Sequence, residues 1–150
     1  MKGHFAQDTI FYVLLMLPIP LWLGLFIHDS NIENIDGYSL VLLILVLPML
    51  EEIFFRGLLQ PWLATKYTAK TSNITQANIM TSSVFALVHL FAQPLLLALC
   101  TFIPSMIFGF AKERYGRLLP SIILHSSYNG GYLLLGTKLL NNEIMSPILF

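Results

Sequence analysis

Stretches of apolar residues about as long as a bilayer is thick alternate along the chain with short polar connections. Five can be marked out: Thr9 to His28, Tyr38 to about Tyr67, Ile74 to Phe91, Pro94 to Ala111 and Leu118 to Leu135. Crossing about 30 Å of hydrocarbon takes roughly 20 residues of helix, because each residue rises about 1.5 Å. The pattern therefore predicts an all-α fold, a polytopic membrane helix bundle of about five transmembrane helices. The third and fifth stretches carry Ser82, Ser83, His89, His125 and Asn129, and polar groups of this kind turn toward the bundle interior rather than toward lipid. Pro18, Pro20, Pro48, Pro104 and Pro120 fall within or at the start of spans. There they kink or begin helices and leave carbonyls that neighbouring groups must satisfy.

Composition agrees with the pattern. Of 150 residues, 56% are hydrophobic and 11% charged, with a mean hydropathy of +0.73, too little polar surface to solvate a water-soluble globule. Eight basic and eight acidic side chains cancel, which speaks against a nucleic-acid binder or a polybasic membrane-surface protein. Their placement is more telling than their sum. Lys2, Lys66, Lys70, Lys112, Arg114 and Arg117 fall on one set of connections, whereas the segment from Asp29 to Gly37 holds Asp29, Glu33 and Asp36 with no base. Beyond the fifth span the only base is Lys138. Lysine and arginine are retained in the cytoplasm, so the amino terminus is expected inside and the carboxyl terminus outside.

The lone Cys100 lies in an apolar run, so neither a disulfide nor a cysteine metal site can form within one chain. The stretch from Thr9 to Ile27 is too long for a signal-peptide core and lacks a small-x-small cleavage site, and reads as a retained first span. With no internal repeat, low-complexity segment or linker, residues 1–150 read as a single membrane domain.

Between Pro48 and Leu59 the second span reads PMLEEIFFRGLL. A charge at mid-membrane costs about 2.5 to 3.5 kcal/mol on insertion scales, so Glu51, Glu52 and Arg56 need pairing, a wet cavity or a function. Glu52 and Arg56 are four apart and can pair along one helix face. Glu51 sits five residues before Arg56, about 140° around the helix, and is left over. Its candidate partners are His89 at the end of FALVHL and the pair His125 and Asn129 in HSSYN, one turn apart on one face. Two carboxylates, two imidazoles, an amide and a guanidinium form a set able to hydrolyse an amide. A carboxylate can take a proton from water, one histidine can position that water, and the other with the amide can stabilise an oxyanion. Measured from a turn near Ala69 to Asn73, Glu51 is about 25 Å along its helix and His89 about 22 Å along the return helix. His125, about 10 Å from Leu118, needs a tilted helix or a buried turn to come level.

EEIFFR, FALVH and HSSYN fit the patterns EExxxR, FxxxH and HxxxN, in that order. The chain from about Pro48 to Gly131 thereby resembles the CAAX prenyl proteases and bacteriocin-processing membrane proteins, glutamic-type intramembrane proteases that include the Ras-converting enzyme type. The resemblance implies an intramembrane endopeptidase acting on a membrane-associated protein or peptide. Glu51 would activate water with His89 assisting, His125 and Asn129 would form the oxyanion site, and Glu52 and Arg56 would support them. It implies no metal or organic cofactor, and a place in a bacterial inner (plasma) membrane. Larger members have several helices before the motif core where this chain has one, so substrate-binding surface is reduced or supplied by a partner protein.

Other readings stand beside this one. The acidic pair and Arg56 can be a structural ion-pair network, and His125 with Asn129 an interhelical hydrogen-bond pair. Zinc could be held by His89, His125 and a glutamate, although no HExxH is present. A non-catalytic immunity protein that sequesters a peptide would need no reaction at all. Ser126 and Ser127 point apart on a helix and belong to no GxSxG elbow.

Overall fold

The computed structural model describes residues 5–19, 36–71 and 73–133. Besides a short 3-10 turn at Phe5–Gln7 they hold five helices, one on each apolar stretch, α4 running four residues past the end expected at Ala111. Helix α1 spans Thr9–Met16 and starts on Asp8, whose carboxylate accepts the Ile10 N–H at 3.0 Å. Helix α2 runs from Gly37 to Ala64 and starts on Asp36, which accepts the Ser39 N–H at 2.9 Å and its hydroxyl at 2.6 Å. Both caps satisfy donors that a helix start leaves open and place negative charge at the positive end of the dipole.

Helix α2 is not uniformly α-helical. Leu42–Val46 and Ile53–Leu59 are π-helical, and each segment stops two residues before a proline, Pro48 and Pro61. A proline ring collides with the carbonyl four residues back and donates no hydrogen bond to it. Widening the preceding turn relieves the clash, and such turns are rare and often found at functional sites.

A two-residue antiparallel ribbon, β1 (Lys70–Thr71) with β2 (Ile74–Thr75), joins α2 to helix α3, Gln76–His89. Thr75 caps α3 by accepting the Asn78 N–H at 3.0 Å. Helix α4, Leu95–Tyr115, is irregular at Thr101, three residues before Pro104. It ends at Gly116, whose φ of 67° lets its N–H return to the Lys112 carbonyl at 2.8 Å. Helix α5, Leu119–Gly131, carries Pro120 in its first turn, where no donor is lost.

Polarity is arranged inside out. Glu52, Arg56, Gln60, Asn78, Thr81, Ser82, Ser105, Ser121 and His125 are buried, while Tyr38, Leu58, Phe91, Leu95, Leu96 and Ile103 are among the most exposed large side chains. Helices α2 and α4 are long and apolar enough to cross a membrane, and only 17% and 28% of their most apolar windows are covered by protein. Apolar area left uncovered to that extent is area for lipid. The chain is an all-α membrane helix bundle. The described part of the first predicted span stops short of its predicted end, and the connection from Asp29 lies outside the described residues up to 35. Helix α3, at 14 residues, rises about 21 Å and falls short of a full crossing.

An apolar cluster of Phe11, Phe108, Ala111, Tyr115 and Leu124 binds α1, α4 and α5 together. Two polar contacts reinforce it: the Tyr128 hydroxyl donates to the Leu14 carbonyl at 2.7 Å, and Arg114 pairs with Asp8 at 2.8 Å. Between α3 and α4 the backbones close on Gly109, where a Cβ would run into the Asn78 side-chain amide. Helix α5 lies antiparallel along α2. Leu118 packs at Gly57, His125 meets Glu51 and Glu52, and Asn129 meets Leu43.

Candidate active site

Helix α2 presents Glu52, Arg56 and Gln60 to the interior at four-residue intervals, all within 1% of full burial. The expected ion pair within the helix forms, with Arg56 Nη1 donating to Glu52 Oε1 at 2.9 Å. Arg56 Nη2 crosses to α4 and donates to the Ser105 hydroxyl at 2.6 Å and to its carbonyl at 2.8 Å. Phe85, Phe108 and Phe55 surround the guanidinium, their ring centres 5.0, 5.6 and 5.8 Å from its central carbon. A carboxylate, a hydroxyl, a carbonyl and three π faces thus replace much of the water the cation has lost, while its buried Nε has no hydrogen-bond partner among the described residues.

His125 is the hinge of the arrangement. Its Nδ1 lies 2.9 Å from the same Glu52 oxygen that Arg56 holds, and its Nε2 lies 3.5 Å from Glu51 Oε2. Because Glu52 as a carboxylate can only accept, Nδ1 carries the proton in that bond. The ring is stacked on Phe108 at 4.7 Å and 18°, and meets the edge of Phe85 at 5.7 Å. Glu52 fixes the tautomer while the phenyl rings fix the plane, so Nε2 points at Glu51 by construction. Glu51 is the accessible member of the acidic pair, its side chain 32% exposed against 0% for Glu52.

The sequence leaves open how His125 comes level with Glu51, and the structure answers without a steep tilt. Because Leu118 packs at Gly57 rather than at the end of α2, α5 starts already alongside α2. Six residues back from Gly57 to Glu51 and seven forward from Leu118 to His125 then bring the two side chains to one level, 3.5 Å apart.

His89 differs from its expected place as the partner of Glu51. Its Nδ1 donates to the Phe85 carbonyl at 2.9 Å and its ring lies against that phenyl at 4.3 Å, while no ion pair or hydrogen bond joins it to Glu51 among the described residues. The imidazole in reach of Glu51 belongs to His125, with Phe85 touching both rings. A backbone carbonyl on Nδ1 leaves Nε2 of His89 as its free nitrogen. Asn129 also sits apart from the glutamates, its amide donating to the Leu43 carbonyl at 3.2 Å. No group of three or more His, Cys, Asp or Glu side chains suited to holding a metal ion occurs among the described residues.

Several interior groups escaped the reading from sequence. Ser105 completes the Arg56 site, and a second cluster forms where Gln60 Nε2 and the Thr75 hydroxyl both donate to Glu113, at 2.7 and 2.5 Å. Asn78 joins α3 to the Met106 carbonyl at 3.0 Å and accepts from Ser82 at 3.3 Å. For Gln60 a signal was present, since it continues the four-residue spacing of Glu52 and Arg56. For Ser105 and Glu113, on α4, nothing in the chain announces which residue of α2 they face.

The family model for Rce1-like type II CAAX prenyl endopeptidases matches residues 35–131, a range that holds all seven fixed positions of the three motifs. No curated protein and no solved structure matches the chain.

Proposed function

The chain belongs to the Rce1-like type II CAAX prenyl endopeptidase family, and from that premise we propose that it is a glutamic-type intramembrane endopeptidase using Glu51 as its base. The observation that carries the proposal is the suspension of His125 between two carboxylates, Glu52 buried and fixed by Arg56, Glu51 accessible and 3.5 Å from Nε2. A purely structural ion pair is complete with Glu52 and Arg56. It has no use for a second, accessible carboxylate facing the free nitrogen of an oriented imidazole.

In the proposed reaction Glu51 removes a proton from water as the oxygen adds to the peptide carbonyl. The bond formed is C–O, and the electron pair of the C=O bond moves to oxygen as an oxyanion. Glu51 shares that proton with the facing Nε2 of His125, 3.5 Å away, so that the ring, its Nδ1–H still on Glu52, directs Nε2–H at the oxyanion. Collapse of the tetrahedral intermediate breaks the C–N bond, and Glu51 returns its proton to the departing amine. His89, anchored by Nδ1–H on the Phe85 carbonyl, offers Nε2 as an acceptor that orients the attacking water. Arg56 works through Glu52 and is a positioning residue.

The substrate in this proposal is a membrane-associated protein or peptide, taken up by a single domain in a bacterial inner membrane with the amino terminus inside. A partner protein adds binding surface beyond the five-helix core. Mass spectrometry of membrane peptides from cells carrying the intact protein or Glu51→Gln tests the reaction. A fragment found only with the intact protein, and still produced after chelator treatment, is the expected result. An identical peptide set from both, at equal membrane abundance, removes the proposal and leaves the peptide-sequestering reading.

A further inference from the structure

Asn129 lies one turn beyond His125 on α5, and its amide nitrogen is 3.2 Å from the backbone carbonyl of Leu43. Leu43 belongs to the first π-helical segment of α2, and there the Leu47 N–H reaches five residues back to the Leu42 carbonyl. In the same pattern the donor for Leu43 would be residue 48, and residue 48 is a buried proline. Proline has no N–H to give. In the interior of a membrane bundle a carbonyl deprived of its donor must find another, because no bulk water is there to supply one. The Asn129 amide is that donor. Beside it, Gly130 faces Ile44, whose Cγ2 is 3.6 Å from where a Cβ of Gly130 would stand, an ordinary contact distance.

We infer that Asn129 acts as a positioning residue: it takes the place of the donor that Pro48 lacks, pins α5 to α2, and so holds His125 in register with Glu51. The catalytic half of this inference rests on the hydrolytic reading above, and the lock between Asn129, Leu43 and Pro48 does not. His125 and Asn129 are separated by about 6 Å of helix rise. Loss of the pin lets α5 slide or rotate, and the 3.5 Å approach of His125 to Glu51 is among the first distances to open. A donor that touched the reacting oxyanion would behave differently, since its value would not depend on what stands at position 48.

That difference is measurable with the whole protein in nanodiscs, through the thermal stability and cleavage rate of the intact chain, Asn129→Ala, Pro48→Ala and the double variant. Alanine at 48 brings a backbone N–H, which can serve Leu43 directly in the π turn or free Leu47 to do so if the turn relaxes. Asn129→Ala is expected to lower the melting temperature by several degrees and kcat by roughly tenfold, with KM little changed. In the Pro48→Ala background both losses shrink to less than half, because the carbonyl already has a donor. Equal stability losses in both backgrounds would overturn the lock. Equal kcat losses, with coupled stability, would overturn the positioning role and return Asn129 to direct contact with the oxyanion. Should Asn129→Ala fail to accumulate, Asn129→Asp, which keeps the shape but has no donor when ionised, is read in the same two backgrounds. Restored abundance with Pro48→Ala supports the lock, and no restoration opposes it. Coupled stability in a protein that cleaves nothing leaves the lock standing while the hydrolytic reading falls.

Discussion

A guanidinium cannot shed its proton, so wherever the fold places Arg56 its charge has to be met by the protein itself. Glu52, Ser105 and three phenylalanine rings meet it, and each would be left wanting if the cation were removed. Arg56→Ala is therefore expected to cost about 3–5 kcal/mol, the range for breaking a buried pair on one side, measured by chemical unfolding in detergent. Arg56→Lys rescues little, since an ammonium cannot serve Glu52 and Ser105 at once in the planar geometry of the fork. Glu51 stands at the opposite extreme. With its side chain 32% exposed, Glu51→Gln should leave stability and membrane abundance close to those of the intact protein. In the proposed reaction it lowers the cleavage rate by about 10²- to 10⁴-fold, the share of a positioned general base. Unfolding of Glu51→Gln on the scale of Arg56→Ala would mean that position 51, too, is structural.

At the scale of the helices, packing depends on a few places where backbone must come close. Gly109→Ala sets a methyl group against the Asn78 amide, an amide that also ties α3 to Met106. The expected loss is about 1–3 kcal/mol, typical of overpacking, with thermal unfolding as the measurement. Helix existence was legible from sequence for a simple reason: apolar stretches about as long as a bilayer is thick leave few alternatives to helices, whereas the ends set by Asp8, Asp36, Thr75 and Gly116 appear only in the structure. The Glu52 and Arg56 pair was legible too, because a contact between positions four apart is intrinsic to a helix. The register of α5 on α2 was not, since it hangs on Leu118 packing at Gly57, a contact across 61 residues of chain. Hence of the two imidazoles expected beside Glu51, the one whose level was left open, His125, is in contact with it, and His89 is held by the Phe85 carbonyl instead. Counting from chain turns assumed that both helices start at the membrane edge and that α2 has α-helical rise throughout. Two π-helical segments and an inset α5 break both assumptions. The prolines that accompany the π segments were visible, but a proline signals only that something yields, not whether by a kink or a widened turn.

For the molecule as a whole, the ends of the bundle differ in charge. Asp8 holds α1 to the end of α4 through Arg114, and its carboxyl titrates below the ordinary 3.8, held down first by the Ile10 N–H and then by Arg114. A depressed carboxyl contributes stability that is fully present above its ordinary value and is lost as pH falls through the lower folded one. Docking of α1 is therefore expected to be insensitive to pH near neutrality and to loosen only below about pH 4, as followed by hydrogen exchange of residues 9–16, and Asp8→Asn should remove the dependence. Orientation is open to a separate measurement, in chains from which the exposed Cys100 has been replaced. A cysteine at Arg117 is expected to react with an impermeant thiol reagent from the cytoplasmic side, and one at Tyr38 from the opposite side. The inset of α5 has one more consequence. With Arg114 and Arg117 exposed near the start of α5, its origin marks the level of the lipid headgroups, and His125 lies only about 10 Å farther along. In the proposed reaction so shallow a centre favours scissile bonds just beneath the headgroups, where a substrate strand can unwind with water still at hand, over bonds at the bilayer midplane.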